Sequence, residues 1–292
     1  MASLENRRIV LTGASSGIGE ASAKALAAAG AHVILLARRE EELARVAADI
    51  RAAEGQADWL AVDLSDLEAA DEAGARLAAE HGPIDTLVNN AARSIRRPIT
   101  ESFDRAHDFE RTMRLNYHAA VRLTLQLLPG MLERGQGQIV NVSSQSVQMP
   151  TPRFAAYVAS KSALEGFTRS LACELEGRGI AFTVVNYPLV RTPMSGATAI
   201  YQKLPMMDVD EAARWMLRAV SEQPARVCAL SGHAWQVSTA AAPGLTTRYT
   251  ARFLRRMLRR LQKQQSNGHG GGNGSGGKDD GRAGRDDGAA RD

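Results

Sequence analysis

Short apolar runs rich in β-branched residues alternate with longer, Ala-rich segments of helical period over most of the chain. Such short runs are typical of buried strands, and the longer segments are typical of helices. The regular alternation predicts an α/β fold, in which helices cover both faces of a parallel sheet. The predicted strands are Arg8–Leu11, His32–Ala37, Asp58–Asp63, Thr86–Asn89, Gln138–Ser143, Phe182–Asn186 and Arg226–Leu230. The predicted helices lie near residues 19–29, 40–54, 66–81, 104–134, 154–177 and 210–221.

The pattern changes near the C-terminus, so we predict a single α/β domain over residues 1–244. Residues 245–265 hold seven basic residues and no acidic residue, and apolar residues recur between them at helical spacing. This segment predicts a basic amphipathic helix over residues 246–264. Residues 266–292 contain ten glycines and are otherwise mostly polar, so we expect a disordered tail.

Composition excludes several other classes of protein. Apolar residues make up 44% of the chain, which is enough for a large core and rules out global disorder. The two cysteines, Cys173 and Cys228, exclude a disulfide scaffold and a Cys-rich zinc module, so we expect a reducing compartment and no metal site. An apolar leader and an apolar run of spanning length are both missing, which predicts a cytoplasmic protein. The net charge of +4 arises from the basic segment alone, so we expect no nucleic-acid partner.

A glycine-rich segment, Thr12–Gly19, stands between the first predicted strand and the first predicted helix. Glycines allow a tight turn and a close approach of the backbone to a pyrophosphate, and the following helix adds amide donors and the positive end of its dipole. The alternative is a structural turn, but the position directly before a helix favours dinucleotide binding. The residues expected at the cofactor are Thr12, Gly13, Ser15, Ser16, Gly17, Ile18 and Gly19.

The end of the second strand bears on the choice between NAD and NADP. An acid at this point would bind the ribose diol of NAD, but here Ala37 is followed by Arg38 and Arg39. Two guanidinium groups suit a 2′-phosphate, which favours NADP(H) over NAD(H) unless both arginines merely begin a solvated helix. Asp63 and Leu64, after the third strand, are expected to cap the adenine.

Asn89, Asn90 and Ala91 follow the fourth strand. The carboxyl ends of parallel strands meet at one edge of the sheet, where dinucleotides bind. We therefore expect these three residues to line the cofactor pocket, although asparagine is also an ordinary turn residue.

Tyr157 and Lys161 are four residues apart in a predicted helix, so their side chains share one face. A phenol with a pKa of about 10 is a poor base at neutral pH, and a neighbouring ammonium lowers that pKa. Such a pair also occurs by chance in many helices.

Ser144 ends the fifth strand thirteen residues before Tyr157, where its hydroxyl could donate to a substrate carbonyl. Asn116 lies in the long predicted helix, where an inward amide could hold a water for a proton relay.

The chain resembles the short-chain dehydrogenase/reductase (SDR) family over about residues 7–230. The resemblance rests on the family's order and spacing of the glycine loop, Asn89-Asn90-Ala91, Asn116, Ser144, Tyr157 and Lys161. It implies a seven-stranded Rossmann-type sheet, hydride transfer between a nicotinamide and a carbonyl or alcohol, and a homo-oligomer. It implies that Tyr157 exchanges the proton and contacts the cofactor, while Lys161 lowers the pKa of Tyr157 and binds the nicotinamide ribose. It also implies that Ser144, rather than Ser143, polarises the carbonyl and that Asn116 holds the relay water.

Two positions depart from the family's pattern. Ala92 stands where the family often has Gly after Asn-Asn-Ala, and Leu189 stands where it often has Gly after Pro. The second change crowds the nicotinamide side, where Pro188, Val190 and Thr192 are expected to contact the cofactor. Neither change touches the acid/base group.

The variable segments resemble the reductase domain of bacterial fatty acyl-CoA reductases, which implies a long, apolar acyl thioester or aldehyde as substrate. Pro188–Met207 is rich in Pro, Met and Leu and could form an apolar lid. Arg96 and Arg97 could meet a phosphate-bearing carrier. The alternatives are a packed loop and solvated arginines. The segments that carry this resemblance are Arg93–Arg97, His107–Met113, Pro188–Met194, Ile200-Tyr201 and Glu211–Ala213.

Three alternatives stay open. The basic helix over residues 246–264 could bind an anionic membrane surface, at the inner face of the membrane, or pack on the domain or on a second subunit. The substrate could be a ketone or a secondary alcohol. A non-catalytic dinucleotide-binding scaffold or sensor is the alternative from another class of protein, but the complete set of catalytic residue types favours an enzyme.

Overall fold

The computed structural model describes residues 4–196 and 204–268. Within them, seven parallel strands form one sheet, which confirms the predicted α/β class and the Rossmann-type architecture. The strands are β1 (Arg8–Thr12), β2 (His32–Ala37), β3 (Gln56–Ala61), β4 (Thr86–Asn89), β5 (Gly137–Ser144), β6 (Ile180–Tyr187) and β7 (Arg226–Cys228). Their spatial order is β3-β2-β1-β4-β5-β6-β7, so the direction of winding reverses between β1 and β4.

Helices connect the strands and cover both faces of the sheet. They are α1 (Gly17–Ala28), α2 (Glu40–Ala52), α3 (Leu67–Glu80), α4 (Ala106–Met113), α5 (Ala119–Arg134), α6 (Ala155–Glu174), α7 (Pro193–Gly196), α8 (Val209–Glu222), α9 (Leu230–Ala241) and α10 (Pro243–Gly268). A π-helical turn (Arg114–His118) separates α4 from α5, and 3-10 turns cover Ile99–Glu101 and Gln145–Val147.

Two hydrophobic layers hold the sheet between the helices. Successive strand residues point to opposite faces, so Leu11 and Val10 of β1 enter different layers. Leu11 belongs to the layer that also contains Leu26 of α1 and Met216 of α8. Val10 belongs to the layer that also contains Leu123 of α5. Because both faces are covered, the strands read as continuous apolar runs.

The helix predicted over residues 104–134 is interrupted. Helix α4 ends at Met113, the π turn follows, and α5 begins at Ala119. A π turn widens the helix to i→i+5 hydrogen bonds. Hydrophobic periodicity does not reveal this change, because the residues on both sides keep a helical period.

Residues 230–241 form α9, for which the sequence predicts no helix. Leu230 begins this helix, whereas the pattern places it in the seventh strand, which ends at Cys228. Gly232 is the buried residue of α9, while Leu230 and Val237 are exposed. A helix without a buried apolar stripe carries no periodic signal that could predict it.

The chain divides into two units, Met1–Thr247 and Arg248–Asp292. The first contains the sheet. Helix α10 begins at Pro243, close to the predicted start of the basic helix, and continues to Gly268, past the predicted tail boundary at Ser266. The rest of the predicted tail lies outside the described residues. None of the helices described in 4–196 and 204–268 has the length and apolar character needed to cross a bilayer.

Candidate active site

The glycine loop links β1 to α1 and folds tightly on itself. Gly13 and Gly17 have φ angles of 68° and 58°, in the left-handed region that favours glycine. A Cβ on Gly13 would lie 2.9 Å from the Cα of Ala91, and a Cβ on Gly19 would lie 2.0 Å from the carbonyl oxygen of Gly13. The path of the loop therefore requires glycine at these points.

Thr12 and Asn90 fasten the loop to the end of β4. The Oγ1 of Thr12 donates to the carbonyl of Val88 at 3.2 Å and accepts from the main-chain N–H groups of Asn90 and Ala91 at 2.9 Å. In return, Nδ2 of Asn90 donates to the carbonyl oxygens of Thr12 and Gly13 at 2.9 and 3.3 Å. These bonds hold together the ends of β1 and β4, where the strand order reverses and ligands bind in such sheets.

Asn89 and Leu64 have side chains engaged in the interior. Nδ2 of Asn89 donates to Oδ1 of Asn141 at 2.8 Å and to Oγ1 of Thr124 at 3.4 Å. Leu64 is buried in the hydrophobic layer of Val10. Of the residues expected at the cofactor, these two can therefore offer only their main chain.

The arginines after β2 lie beside the glycine loop. Nη2 of Arg39 donates to the carbonyl oxygen and to Oγ of Ser15 at 3.4 and 3.3 Å. The side chain of Arg38 is 61% exposed and stands 3.9 Å from that of Asp63. Oδ1 of Asp63 also accepts from the main-chain N–H of Ser65 at 2.9 Å. Two guanidinium groups are thus available near the carboxyl ends of β1 and β2.

This arrangement fits a nicotinamide dinucleotide. Ser16 stands at the N-cap of α1 without a side-chain capping bond, so the first amide groups of the helix remain for an anion. Ile18 packs against the core behind this turn. The glycines allow close approach, and the guanidinium groups of Arg38 and Arg39 suit pairing with a 2′-phosphate.

Helix α6 presents Tyr157 and Lys161 one turn apart beside β5. Lys161 is 1% exposed, and its Nζ donates to the carbonyl oxygen of Val142 at 2.7 Å. Burial lowers the pKa of Lys161 to about 8, while the negative charge of Glu165 acts in the opposite direction. Tyr157 is half-buried, and its ring meets that of Phe154 edge-on with centroids 6.4 Å apart. A phenol and a buried amine therefore share one helix face.

Ser143 and Ser144 point to opposite sides at the end of β5. The hydroxyl of Ser143 donates to Oε1 of Glu165 at 2.6 Å. The Oγ of Ser144 accepts from the main-chain N–H and the hydroxyl of Ser146 at 3.2 and 2.9 Å. The hydroxyl proton of Ser144 thus remains available to donate to a substrate carbonyl, whereas the hydroxyl of Ser143 already donates to Glu165. This difference supports Ser144 as the polarising residue.

Asn116 lies buried in the π turn and fixes the loop after β4. Its Oδ1 accepts from the N–H of Arg93 at 2.8 Å, and its Nδ2 donates to the carbonyl of Arg93 and to Oγ of Ser160 at 2.9 Å. The hydroxyl of Ser160 donates to the carbonyl of Tyr157 at 2.8 Å. Both amide protons of Asn116 are therefore used, so a relay water would meet its Oδ1 or the main chain of the turn.

The loop after β6 packs against the glycine loop. Val190 is buried and forms an isolated parallel bridge with Met207. A Cβ on Gly17 would lie 3.2 Å from Cγ2 of Thr192, which places Thr192 beside the start of α1. Pro188 is half-buried directly after β6. The middle of the predicted lid, with Ile200 and Tyr201, lies outside the described residues.

Asp108 binds Arg97, one of the two arginines expected to meet a phosphate-bearing carrier. This buried carboxylate accepts from Arg97, Arg105 and Arg111 at 3.2, 3.0 and 2.5 Å. Chiefly through Arg105, these bonds hold the pKa of Asp108 well below its usual range. Arg97 therefore ties the loop after β4 to α4. No ion pair or hydrogen bond of the Arg96 guanidinium occurs in the described part of the chain.

Sequence reasoning missed a polar network behind the catalytic helix. Glu165 contacts Ser143, Asn186 and Arg226, which come from three adjacent strands. One signal was available, because Glu165 follows Lys161 by the four residues that separate Lys161 from Tyr157.

The fold and these side chains define a nicotinamide-dependent oxidoreductase. A family model described as short chain dehydrogenase matches residues 7–202. The chain is 48% identical over 236 residues to a fatty acyl-CoA reductase of Acinetobacter baylyi, which covers 81% of this chain and 80% of the relative. It is 47% identical over 225 residues to a fatty acyl-CoA reductase of Mycobacterium tuberculosis, which covers 77% and 76%. The chain belongs to the short-chain dehydrogenase/reductase family and is an NAD(P)-dependent oxidoreductase.

Solved structures agree with this assignment. A metagenomic short-chain oxidoreductase in complex with NADP is similar at a TM-score of 0.66 and 31% identity, covering 77% of this chain and 97% of that one. A gluconate 5-dehydrogenase of Burkholderia cenocepacia in complex with NADP and tartrate is similar at a TM-score of 0.70 and 26% identity, covering 77% and 94%.

Proposed function

We propose that this protein is an NADP(H)-dependent reductase that acts on the carbonyl of a long-chain fatty acyl-CoA or fatty aldehyde. The observation that carries the proposal is the identity of 48% and 47% with two fatty acyl-CoA reductases over most of each chain. The complete set of Asn116, Ser144, Tyr157 and Lys161 supports a catalytic role over a scaffold or sensor.

The preference for NADP(H) rests on Arg38 and Arg39. No acid follows Ala37 to bind a ribose diol, and Arg39 already extends to Ser15 in the glycine loop. Charge-assisted bonds from two guanidinium groups favour the extra phosphate. The NADP bound in similar structures is consistent with this choice.

When bound, the cofactor supplies a hydride, and the chain's own residues stabilise the charge that this transfer creates. As the carbonyl carbon gains the hydride, negative charge develops on oxygen, where the hydroxyls of Ser144 and Tyr157 donate hydrogen bonds. With a thioester, collapse of the tetrahedral oxyanion expels the thiolate, which takes up a proton, and leaves an aldehyde. With an aldehyde, Tyr157 gives its proton to the oxygen and an alcohol results. Lys161 stabilises the phenolate that remains.

A phosphate-bearing carrier fits the loop after β4. Arg96 is half-buried in a loop whose ends are fixed by Asn116 at Arg93 and by the carbonyl of Arg153 at Arg97. Because Arg97 is committed to Asp108, Arg96 is the residue that we assign to the carrier phosphates. Its guanidinium is well suited to that contact.

The segment after β6 supports a lipophilic substrate. Met194 and Leu204, on either side of the residues that are not described, are 54% and 37% exposed. Flexible apolar side chains of this kind adapt to an acyl chain. We assign the wall of the acyl site to the described parts of this segment, residues 188–196 and 204–207.

The deciding experiment is an NADPH-oxidation screen across long-chain acyl-CoAs, long-chain aldehydes and ketones. The proposal predicts turnover with acyl-CoA or aldehyde, and a raised KM for acyl-CoA but not for free aldehyde in Arg96→Ala. Arg76→Ala, which removes an exposed arginine paired with Glu80, is the matched control. Turnover confined to ketones would instead make the protein a ketone/secondary-alcohol dehydrogenase.

An anionic membrane surface is the partner that we assign to the basic helix. In the described part of α10, Tyr249 and Phe253 are exposed four residues apart, with Arg252 and Arg256 exposed on the same helix. Each basic residue near an anionic leaflet contributes about 1 kcal/mol. Such binding would place a cytoplasmic enzyme at the inner face of the membrane.

Vesicle sedimentation tests this assignment in the full chain. Binding to vesicles containing phosphatidylglycerol, and none to phosphatidylcholine alone, is expected. Arg252→Gln with Arg256→Gln should weaken that binding about 30-fold, from the loss of two charges. Equal partition of wild type and variant would mean that Arg252 and Arg256 do not contact the membrane.

Assembly of several copies is expected from the family. Phe103 and Leu125 are 85% and 56% exposed, and contact with a second copy would bury such large apolar side chains. Analytical ultracentrifugation should therefore give a dimer or tetramer, and a monomer at all concentrations would contradict this.

A further inference from the structure

Glu165 extends the catalytic face of α6 by one turn. Tyr157, Lys161 and Glu165 follow one another at intervals of four residues, which places their side chains along one side of the helix. The side chain of Glu165 is only 10% exposed. A buried carboxylate is costly unless it is paired and hydrogen-bonded, so its surroundings must compensate its charge.

Three adjacent strands supply that compensation. Oε1 of Glu165 accepts from Oγ of Ser143 in β5 and from Nδ2 of Asn186 in β6, both at 2.6 Å. Oε2 accepts from Arg226 in β7 at 3.0 Å. Arg226 also donates to Oδ1 of Asn186 at 2.6 Å. The carboxylate therefore joins residues near the carboxyl ends of β5 and β6 to the first residue of β7.

The same network reaches the main chain of the proposed polarising residue. Nδ2 of Asn186 donates both to Glu165 and to the carbonyl oxygen of Ser144, the latter at 3.1 Å. The carbonyl of Val142, two residues earlier in β5, accepts from Lys161. Glu165 and Lys161, on successive turns of α6, thus both hydrogen-bond to the carboxyl-terminal part of β5.

The charges around Lys161 are few. Glu165 and Tyr157 lie on its own helix, and Arg226 approaches Glu165 from β7. Strand β5 presents the uncharged carbonyl of Val142 to Lys161. The nearby Asn186 of β6 and Asn116 of the π turn are uncharged and bind Glu165 and Ser160 respectively. The described ion pairs of α4 join residues of the Asp108 cluster and include neither Lys161 nor Glu165. Glu165 is therefore the anion whose attraction opposes the loss of charge that burial imposes on Lys161.

We propose that Glu165, held by Arg226, is a positioning residue for the acid/base step: its charge stabilises the buried Lys161 ammonium, and through Asn186 it fixes the strand end that carries Ser144. This inference rests on the roles of Lys161 and Ser144 in the proposed function, but not on the identity of the substrate. It explains how a carboxylate is accommodated where its side chain is only 10% exposed.

The sign of the effect follows from the two charges. Glu165→Gln removes the anion, so the pKa of Lys161 falls below about 8. Arg226→Gln removes the cation beyond it, so the same pKa rises. Glu165 lies one turn from Lys161 without a direct ion pair and is itself paired with Arg226, so its loss should lower the pKa by about one unit or less. Arg226 is farther away and 22% exposed, so its effect should be smaller.

The test is a pH titration of Lys161 by NMR on the full chain labelled with ε-¹³C lysine. The chain has only five lysines, and Lys161→Arg assigns the signal. The expected result is a downward shift in Glu165→Gln, an upward shift in Arg226→Gln and little change in Glu165→Asp. A purely structural role of Glu165 would not move the pKa of Lys161 in opposite directions in Glu165→Gln and Arg226→Gln.

A kinetic arm uses whichever carbonyl substrate the wild type reduces. The basic limb of the kcat profile should move to lower pH in Glu165→Gln, with NADPH affinity and thermal unfolding measured in parallel.

An unshifted Lys161 pKa in folded Glu165→Gln overturns the inference. Shifts of the same sign in both variants overturn it as well, and if Glu165→Gln does not fold, an unchanged pKa in Arg226→Gln does so. Failure of the acyl-CoA screen alone leaves these titrations unaffected and counts only against the proposed substrate.

Discussion

Replacing Arg39 by alanine should weaken the use of NADPH and leave the use of NADH unchanged. Arg39 contacts Ser15 at 3.4 and 3.3 Å, long bonds that can be exchanged for phosphate oxygens at little cost. A charge-assisted hydrogen bond contributes about 1.5–3 kcal/mol, and each 1.4 kcal/mol is a factor of ten. KM for NADPH should therefore rise about 10- to 100-fold, while KM for NADH stays unchanged. Arg38→Ala should have a smaller effect, because the Arg38 side chain is 61% exposed and already near Asp63.

The assay is initial rate against NADPH and NADH at one saturating carbonyl substrate. Arg45→Ala is the matched control, because it removes the same charge from α2 but lies in ion pairs with Glu20, Glu42 and Asp49. A general electrostatic effect would appear in both variants, whereas a phosphate contact appears only in Arg39→Ala. If Arg39→Ala keeps the wild-type ratio of NADPH to NADH specificity, the assignment of the 2′-phosphate to this arginine is wrong.

Two further substitutions test the loop and the π turn. Gly19→Ala should abolish cofactor binding, measured by NADPH fluorescence, because its Cβ would lie 2.0 Å from a carbonyl oxygen; Gly166→Ala in α6, with nothing within 4 Å, should bind normally. Normal binding by Gly19→Ala would show that the loop relaxes freely. Asn116→Ala removes three hydrogen bonds of about 1 kcal/mol each. It should lower Tm by about 5–10 °C in thermal unfolding, and an unchanged Tm would mean that Asn116 does not stabilise the loop after β4.

The sheet was predictable because its signal is local. β2 and β4 begin and end where the apolar runs do, since a strand buried on both faces is marked at its two ends by polar residues. The helix over residues 104–134 was only partly predictable. Its π turn contains Asn116, which binds Arg93 and Ser160, contacts that the fold creates between distant segments.

The candidate site also has some parts that the sequence predicts and others that depend on contacts made only in the folded protein. The glycine loop and the Tyr157–Lys161 pair are local patterns, so spacing alone reveals them. The distinction between Ser143 and Ser144 depends on which side of β5 each faces and on Glu165 behind it. The engagement of Arg97 by Asp108 likewise exists only once α4 packs beside the loop.

The measurement that tests the central claim most directly is turnover by Tyr157→Phe with NADPH affinity determined on the same sample. General acid catalysis by a positioned side chain contributes about 10²- to 10⁴-fold. The account predicts a loss of kcat of that size with NADPH affinity unchanged, because the substitution removes one hydroxyl and leaves the helix and the ring in place. Wild-type turnover by Tyr157→Phe would contradict it.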